Sequence, residues 1–184
     1  MRPLLYCLLL SSLLMTTACM SDNATRQEEE KEKKEKTAAV DYEQLQDLLP
    51  KRLAGMDRVA IEGERIGFLG LKYSQATAEY EDGDAWAEIV ILDGGGIARV
   101  FNKLADEINT DFEREYENEE GYQRNIEVDG FPASEMYEYD SKEGEFTVFV
   151  GERFLVHLEA EDISERQFKR LNQALNIKRL SRLK

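Results

Sequence analysis

Few residues in this chain carry side chains that usually perform catalysis or bind transition metals. The 184 residues include one histidine, His157, and two cysteines, Cys7 and Cys19. A hydrolase that used His157 would also need a nucleophile and an orienting carboxylate, and no G-x-S-x-G motif is present. One histidine and no cysteine beyond residue 19 cannot build a typical zinc site. We therefore expect no enzyme activity, no metal and no cofactor, and we interpret His157 as a surface residue.

Other patterns that sometimes bind ligands are explained more simply by local structure. Gly94-Gly95-Gly96 follows an expected strand, but it lacks the G-x-G-x-x-G spacing and the following Lys-Ser/Thr of phosphate loops. Glu81-Asp82-Gly83-Asp84 lacks the alternating oxygen ligands of an EF-hand and is typical of a hairpin turn. The segment 115–120 predicts a solvated helix end. Tyrosines near the expected hairpins would either line a ligand groove or pack on the sheet: Tyr80, Tyr116, Tyr122, Tyr137 and Tyr139.

The first residues of the chain indicate export. Arg2 supplies a positive charge, the run from Pro3 to Met15 is apolar, and small residues follow at positions 16–18. These are the three parts of a secretory signal peptide, and the apolar run is shorter than the ~20 residues of a membrane-spanning helix. We expect residues 1–18 to be a cleaved signal peptide.

Cys19 directly follows the small residues. The stretch Met15-Thr16-Thr17-Ala18-Cys19 resembles the lipobox of bacterial lipoproteins, in which the cysteine is acylated and becomes the mature N-terminus. The resemblance implies lipid attachment at Cys19, and Met20 in the next position favours the outer over the inner membrane. The cysteine inventory agrees, since no disulfide partner is left after cleavage. An ordinary signal peptide with a cysteine near its end is the alternative.

Charge is distributed unevenly along the chain. Residues 19–40 form the lipidated N-terminus and a tether; its centre, 28–36, is nearly all Glu and Lys, which predicts a disordered spacer. The net charge of −14 argues against nucleic-acid binding, because phosphates would be repelled. The segment Arg166–Lys184 contains basic residues and no acidic one. We expect it to pair with the protein's own acidic surface, with contact to anionic headgroups as the alternative.

Hydrophobic periodicity predicts one α+β domain over residues 41–184. Short links between the expected strands require antiparallel pairing. The fold class is therefore a single mostly antiparallel sheet flanked by helices, an α/β/α-like sandwich similar to the extrinsic photosystem-II-subunit type, and this analogy implies fold alone. The predicted helices cover 41–49, 97–115 and 164–175, and the predicted strands cover 56–61, 74–80, 86–92, 122–128, 133–139, 146–150 and 154–160.

Several stretches are similar to a family of uncharacterised bacterial envelope proteins. The family's LP..L.G opening matches residues 49–56, its S.A.A.Y strand and I.D.GG exit match residues 74–95, and its G.RF.V strand matches 151–156. The resemblance implies a place in the cell envelope and no established activity. We expect a lipid-anchored, non-catalytic binding or scaffolding module for a protein or cell-wall partner. The alternative is a periplasmic carrier of an apolar or lipid ligand, which would need a cavity of several hundred cubic ångströms.

Overall fold

One antiparallel sheet of nine strands dominates the computed structural model. The structure describes residues 38–68, 71–95, 115–151 and 153–183, and residues 36–184 form one compact unit. The expected signal peptide, Cys19 and the tether up to residue 37 lie outside the described residues, as does nearly all of the helix expected over 97–115.

The sheet consists of two meanders that meet in its centre. The strand order is β1-β2-β3-β4-β9-β8-β7-β6-β5, and each neighbouring pair is antiparallel. The meanders join where β4 pairs with β9, two strands far apart in the sequence. The strands are β1 Arg52–Leu53, β2 Met56–Phe68, β3 Leu71–Asp82, β4 Ala85–Asp93, β5 Tyr116–Glu117, β6 Gly121–Val128, β7 Phe131–Glu138, β8 Glu143–Val150 and β9 Phe154–Glu161.

The described helices are short, and all pack against one side of the sheet, called here the helical face. They are α1 Tyr42–Gln46, α2 Glu165–Ala174 and α3 Ile177–Leu180. Asp41 and Ser164 accept hydrogen bonds from backbone N–H groups at the starts of α1 and α2, as N-caps do. The Tyr137 hydroxyl donates to the Ile163 carbonyl at 2.7 Å, which fastens the chain before α2 to β7.

Strict alternation of side chains creates the core. In β4 every second residue from Ala85 to Asp93 is buried, whereas the residues between them are partly exposed. This period of two is that of a strand with one face covered. The largest fully buried side chains on the helical face come from strands and helices alike: Tyr80, Phe146, Phe168, Leu45, Met56, Ile89, Leu158, Ile163 and Leu171.

The prediction of a single, mostly antiparallel sheet is confirmed, and seven of its strands lie where alternation places them. The described helices cover one face, so the described part is mostly sheet rather than a sheet flanked by helices on both sides. The prediction of a solvated helix end over 115–120 is wrong. Tyr116 and Glu117 instead pair with β6, and the Asn118 side chain accepts from the N–H groups of Glu120 and Gly121 in a turn. Such a side-chain turn replaces helical hydrogen bonds.

Candidate functional site: an acidic sheet face

Glutamates dominate the side of the sheet opposite the described helices. From Glu62 onward, the described strand residues that point to this side include eleven glutamates and no lysine or arginine. We call this surface the acidic face. Its members lie on seven strands, β2 to β4 and β6 to β9, and most are exposed: Glu62, Glu64, Glu79, Glu81, Glu88, Glu127, Glu138, Glu143, Glu145, Glu159 and Glu161.

Four of these glutamates form one row across four adjacent strands. The register places Glu79 opposite Glu88, Glu88 opposite Glu159, and Glu159 opposite Glu145. Directly opposite side chains on neighbouring strands have Cβ atoms about 5 Å apart, so like charges there repel. Burial raises the pKa of Glu88, and the charges of Glu159 and Glu79 raise it further, while His157 lowers it. The row therefore holds negative charge at an energetic cost.

His157 lies on the acidic face within a short chain of hydrogen bonds. Its Nδ1 lies 2.9 Å from the Thr147 hydroxyl, and its Nε2 lies 2.9 Å from Glu159 Oε1. The sequence of hydroxyl, imidazole and carboxylate resembles the order of groups in a hydrolase triad. An acyl-transfer site also needs free N–H donors for the developing oxyanion. Thr147 and His157 face each other in the middle of paired strands, where backbone N–H groups are used by the ladder.

Metal binding has no geometric support in the described part of the chain. No group of three or more His, Cys, Asp or Glu side chains there is arranged to hold a metal ion. The reason is the sheet itself, since side chains of successive strands stand roughly parallel about 4.8 Å apart and do not converge.

A broad polar depression continues the acidic face at its far edge. It has a volume of about 490 Å³ and opens widely to solvent. Tyr116, which is 40% exposed, contributes an aromatic ring beside three carboxylates. A cationic side chain would find both charge and a ring surface here. The lining residues are Tyr116, Asn118, Glu120, Gly121, Glu138 and Asp140.

The acidic face becomes apolar towards the carboxyl end of β4. Leu92 faces Leu155, and Leu155 faces Phe149 on the next strand. Leu92 lies four residues from Glu88, about 13 Å along the strand. This apolar end and the glutamate row are therefore separate parts of the same face.

A buried polar cluster lies on the helical face, between β6, β7 and α2. The Glu135 carboxylate pairs with Arg124 and accepts from Asn172 Nδ2 at 3.0 Å. Burial raises the pKa of Tyr122, and the Glu135 charge raises it further. The Tyr122 hydroxyl and Asn172 Oδ1 are buried without a hydrogen bond of normal geometry. A single ordered water is the usual partner of such groups, and we interpret the cluster as structural.

A second buried carboxylate fixes the start of the domain. Asp93 is fully buried and accepts from the N–H groups of Val40 at 2.6 Å and Gly95 at 2.9 Å. Arg153 binds it in addition through Nε at 2.8 Å and Nη2 at 2.7 Å. Ser74 Oγ donates to the Val40 carbonyl. Residues 38–40 are thus part of the folded domain, and Gly94 and Gly95 continue the chain beside Asp93.

The space between helices and sheet is small where an apolar ligand would bind. One apolar pocket there, bordered by Leu49, Ile91, Val156, Leu175 and Leu180, measures about 10 Å³. That volume accommodates about one water molecule. This pocket cannot hold a lipid or another ligand of the size that a carrier needs.

The residues singled out in the sequence do not form one common site in the described part of the structure. The tyrosines mostly pack rather than line a groove: Tyr122, Tyr137 and Tyr139 contact one another, and Tyr137 contacts Phe168. The Tyr80 hydroxyl donates to the Pro50 carbonyl. Cys19 lies outside the described residues, so its acylation stays a prediction. The row of four glutamates was missed, because it depends on which strands are neighbours.

Comparison with protein-family models, with curated proteins and with solved structures finds no match for this chain. Within the described residues, no helix is both long and apolar enough to cross a membrane.

Proposed function

We propose that this protein is a lipid-anchored, non-catalytic binding module of the bacterial cell envelope, whose acidic face docks a cationic protein surface. The observation that carries the proposal is the set of eleven glutamates on this side, with no lysine or arginine among the described strand residues from Glu62 onward that point to the same side. A surface of one sign attracts and orients a partner of the opposite sign. The depression beside Tyr116 would receive a lysine or arginine side chain of that partner.

The anchoring part of the proposal comes from the sequence. Acylation at Cys19 and residence in the outer membrane follow from the lipobox resemblance, and the envelope location also follows from the resemblance to the envelope family. Two or more acyl chains would hold the protein firmly, since one chain binds only marginally. The intact mass of protein extracted from its host membranes tests this, with loss of residues 1–18 and a gain of a diacylglyceryl group expected. An unmodified mass would refute the anchor.

The α/β/α sandwich is part of the proposal as well. It requires the helix predicted over residues 97–115, whose apolar stripe would match the apolar end at Leu92, Leu155 and Phe149. The glutamate row lies about 13 Å away along the strands and would keep its contact with solvent.

Binding of a ten-residue lysine peptide by residues 36–184 tests the docking function. These residues form one compact unit with all nine strands and the described core, so they can be studied alone. We expect calorimetry to detect binding at low salt that weakens at 0.15 M salt, because exposed charges are screened. The variant Glu79→Gln/Glu159→Gln should bind about tenfold more weakly, at roughly 0.7 kcal/mol per lost charge.

The matched control removes the same two charges from the helical face. Glu43 and Asp47 are exposed on or beside α1, and Glu43→Gln/Asp47→Asn should bind the peptide as the unmodified protein does. Equal weakening in both variants would mean that only net charge matters and would refute a docking face. A photo-crosslinker placed at Glu81 should further capture a cationic envelope protein that the same group at Gln173 does not capture.

A further inference from the structure

The outer side of the C-terminal helices carries a surface of the opposite sign. Arg166 and Arg170 are four residues apart on α2 and therefore lie on the same side of that helix. Lys178 and Arg179 on α3 and the following Arg182 are exposed too. No acidic residue occurs between Arg166 and the end of the described chain. We call these five cations the basic surface.

Much of this positive charge is not neutralised within the protein. Lys178 pairs with Asp129 but stays 70% exposed, and Arg179 reaches only a backbone carbonyl, that of Asp47. Arg166, Arg170 and Arg182 make no ion pair with any described residue. Among the described residues, the expectation that this segment pairs with the protein's own acidic side chains thus holds for Lys178 and for Lys169, which pairs with Glu165. It does not hold for Arg166, Arg170 and Arg182.

The N-terminal end of the domain lies on the same side as the basic surface. Val40 is held by the side chains of Ser74 and Asp93. The register groups these two residues with the buried residues of the helical face. The start of the described domain, at Val40, therefore lies on the helical side of the sheet. The residues from 19 to 37, as a coil, would span about 25 Å, since the root-mean-square length is ~5–6 Å times the square root of the residue number.

We propose that the basic surface lies against an anionic lipid surface and that the acidic face consequently points away from the membrane. This orientation rests on the proposed lipid anchor at Cys19, which would hold the domain close to the bilayer. Each cation near an anionic bilayer contributes to attraction that falls off within a Debye length, about 8 Å at physiological salt. The glutamates lie beyond a layer of helices and a sheet, roughly 20 Å away. Screening therefore weakens the repulsion by the acidic face, whereas the exposed Glu43 and Asp47 on the helical side reduce the attraction.

Vesicle binding by residues 36–184, which carry no lipid, measures this attraction directly. We expect sedimentation with vesicles of phosphatidylcholine and phosphatidylglycerol at 7:3, little binding to phosphatidylcholine alone, and release in 0.5 M salt. Arg166→Gln/Arg170→Gln should lower the partition coefficient about 30-fold, which is the loss expected for two residues near the surface. The control Arg52→Gln removes an exposed cation that the register places on the acidic side of the sheet, and it should change the partition coefficient less than about twofold.

Four outcomes would overturn the proposal. Equal loss per removed charge in the Arg166→Gln/Arg170→Gln variant and in the control would indicate an effect of net charge, and equal binding to neutral vesicles would indicate contact without headgroup recognition. The protein could instead fail to bind vesicles and self-associate, with Arg166→Gln/Arg170→Gln abolishing the self-association. This result would mean that the basic surface docks the acidic face of a second copy. Vesicle binding that fails while the lysine peptide still binds would refute this orientation alone and leave the docking function intact.

Discussion

Removal of one member of the buried pair of Asp93 and Arg153 should be among the most destabilising single substitutions in the domain. The Asp93 carboxylate is fully buried, and the Arg153 side chain is 17% exposed. Asp93→Ala would remove the acceptor of four N–H donors. The two backbone amides would lose this acceptor, and the Arg153 guanidinium would lose its counter-ion while keeping its bond to the Ala38 carbonyl. Breaking a buried pair by removing one member costs about 3–5 kcal/mol. We expect a loss near the middle of that range, about 4 kcal/mol.

Urea unfolding monitored by fluorescence provides the measurement. The single tryptophan, Trp86, lies on β4, the strand that ends at Asp93, and it reports on the centre of the sheet. In thermal unfolding followed by the same fluorescence, a loss of about 4 kcal/mol should lower the melting temperature of a unit of this size by roughly 10 °C. The control is Asp57→Ala, whose partner Arg52 is 69% exposed while Asp57 itself is 71% exposed. Such a surface pair should contribute at most about 0.5 kcal/mol.

A double-mutant cycle distinguishes the pair from the backbone contacts. Arg153→Met removes the charge while keeping much of the side-chain length, so the cycle with Asp93→Ala isolates the coupling between the two side chains. We expect the double variant to be less destabilised than the sum of the single variants. A loss of unfolding free energy below about 1 kcal/mol for Asp93→Ala would refute the reasoning. Removal of a buried acceptor of four donors should cost more than a substitution on the surface.

Three further predictions concern the sheet. Glu88→Gln should stabilise the protein by about 0.5 kcal/mol at pH 7, because burial and the facing glutamates raise the pKa of Glu88, so that its ionised form opposes folding. The stability of the unmodified protein rises as pH falls through this raised pKa, because Glu88 then takes up a proton. The stability gained by Glu88→Gln should therefore vanish near pH 4, and a gain that does not change with pH would contradict this prediction. Gly144→Ala should cost about 1–3 kcal/mol in urea unfolding, since a Cβ there would lie 2.6 Å from the Phe168 ring; an unchanged midpoint would contradict the packing. Hydrolysis of p-nitrophenyl acetate should be the same for the unmodified protein and for Thr147→Val, and a tenfold loss in that variant would instead assign His157 a catalytic role.

Hydrophobic periodicity was enough to predict most of the sheet and two of the described helices. The helices predicted over 41–49 and 164–175 match α1 and α2, and β4 shows the expected period of two. The two-residue strands β1 and β5 were missed because two residues cannot show a period. Their pairing depends on the neighbouring strand rather than on a pattern of their own.

The acidic face could be predicted only in part, because its assembly depends on long-range pairing. The turn at Gly83 places Glu79 opposite Glu88, and this pairing follows from the β3–β4 hairpin alone. Glu159 joins them because β4 pairs with β9, and nothing in the local sequence predicts that contact. Buried carboxylates such as Asp93 are equally hard to predict, since their partners lie far away along the chain.

The glutamate row is itself an argument for function. Like charges placed directly opposite on neighbouring strands are destabilising, and threonine or lysine at one position would relieve the repulsion. Solubility needs only scattered charge of mixed sign, as is present around Lys72 and Asp82 at the ends of β3. A row of four facing glutamates, with His157 beside Glu159, is a local departure from the rules of folding, and such departures concentrate at functional sites. Binding of a cationic surface would neutralise the row, so a partner should stabilise the protein more strongly than it stabilises the Glu79→Gln/Glu159→Gln variant. Thermal unfolding with and without the lysine peptide measures this difference, and equal shifts for the two proteins would contradict the argument.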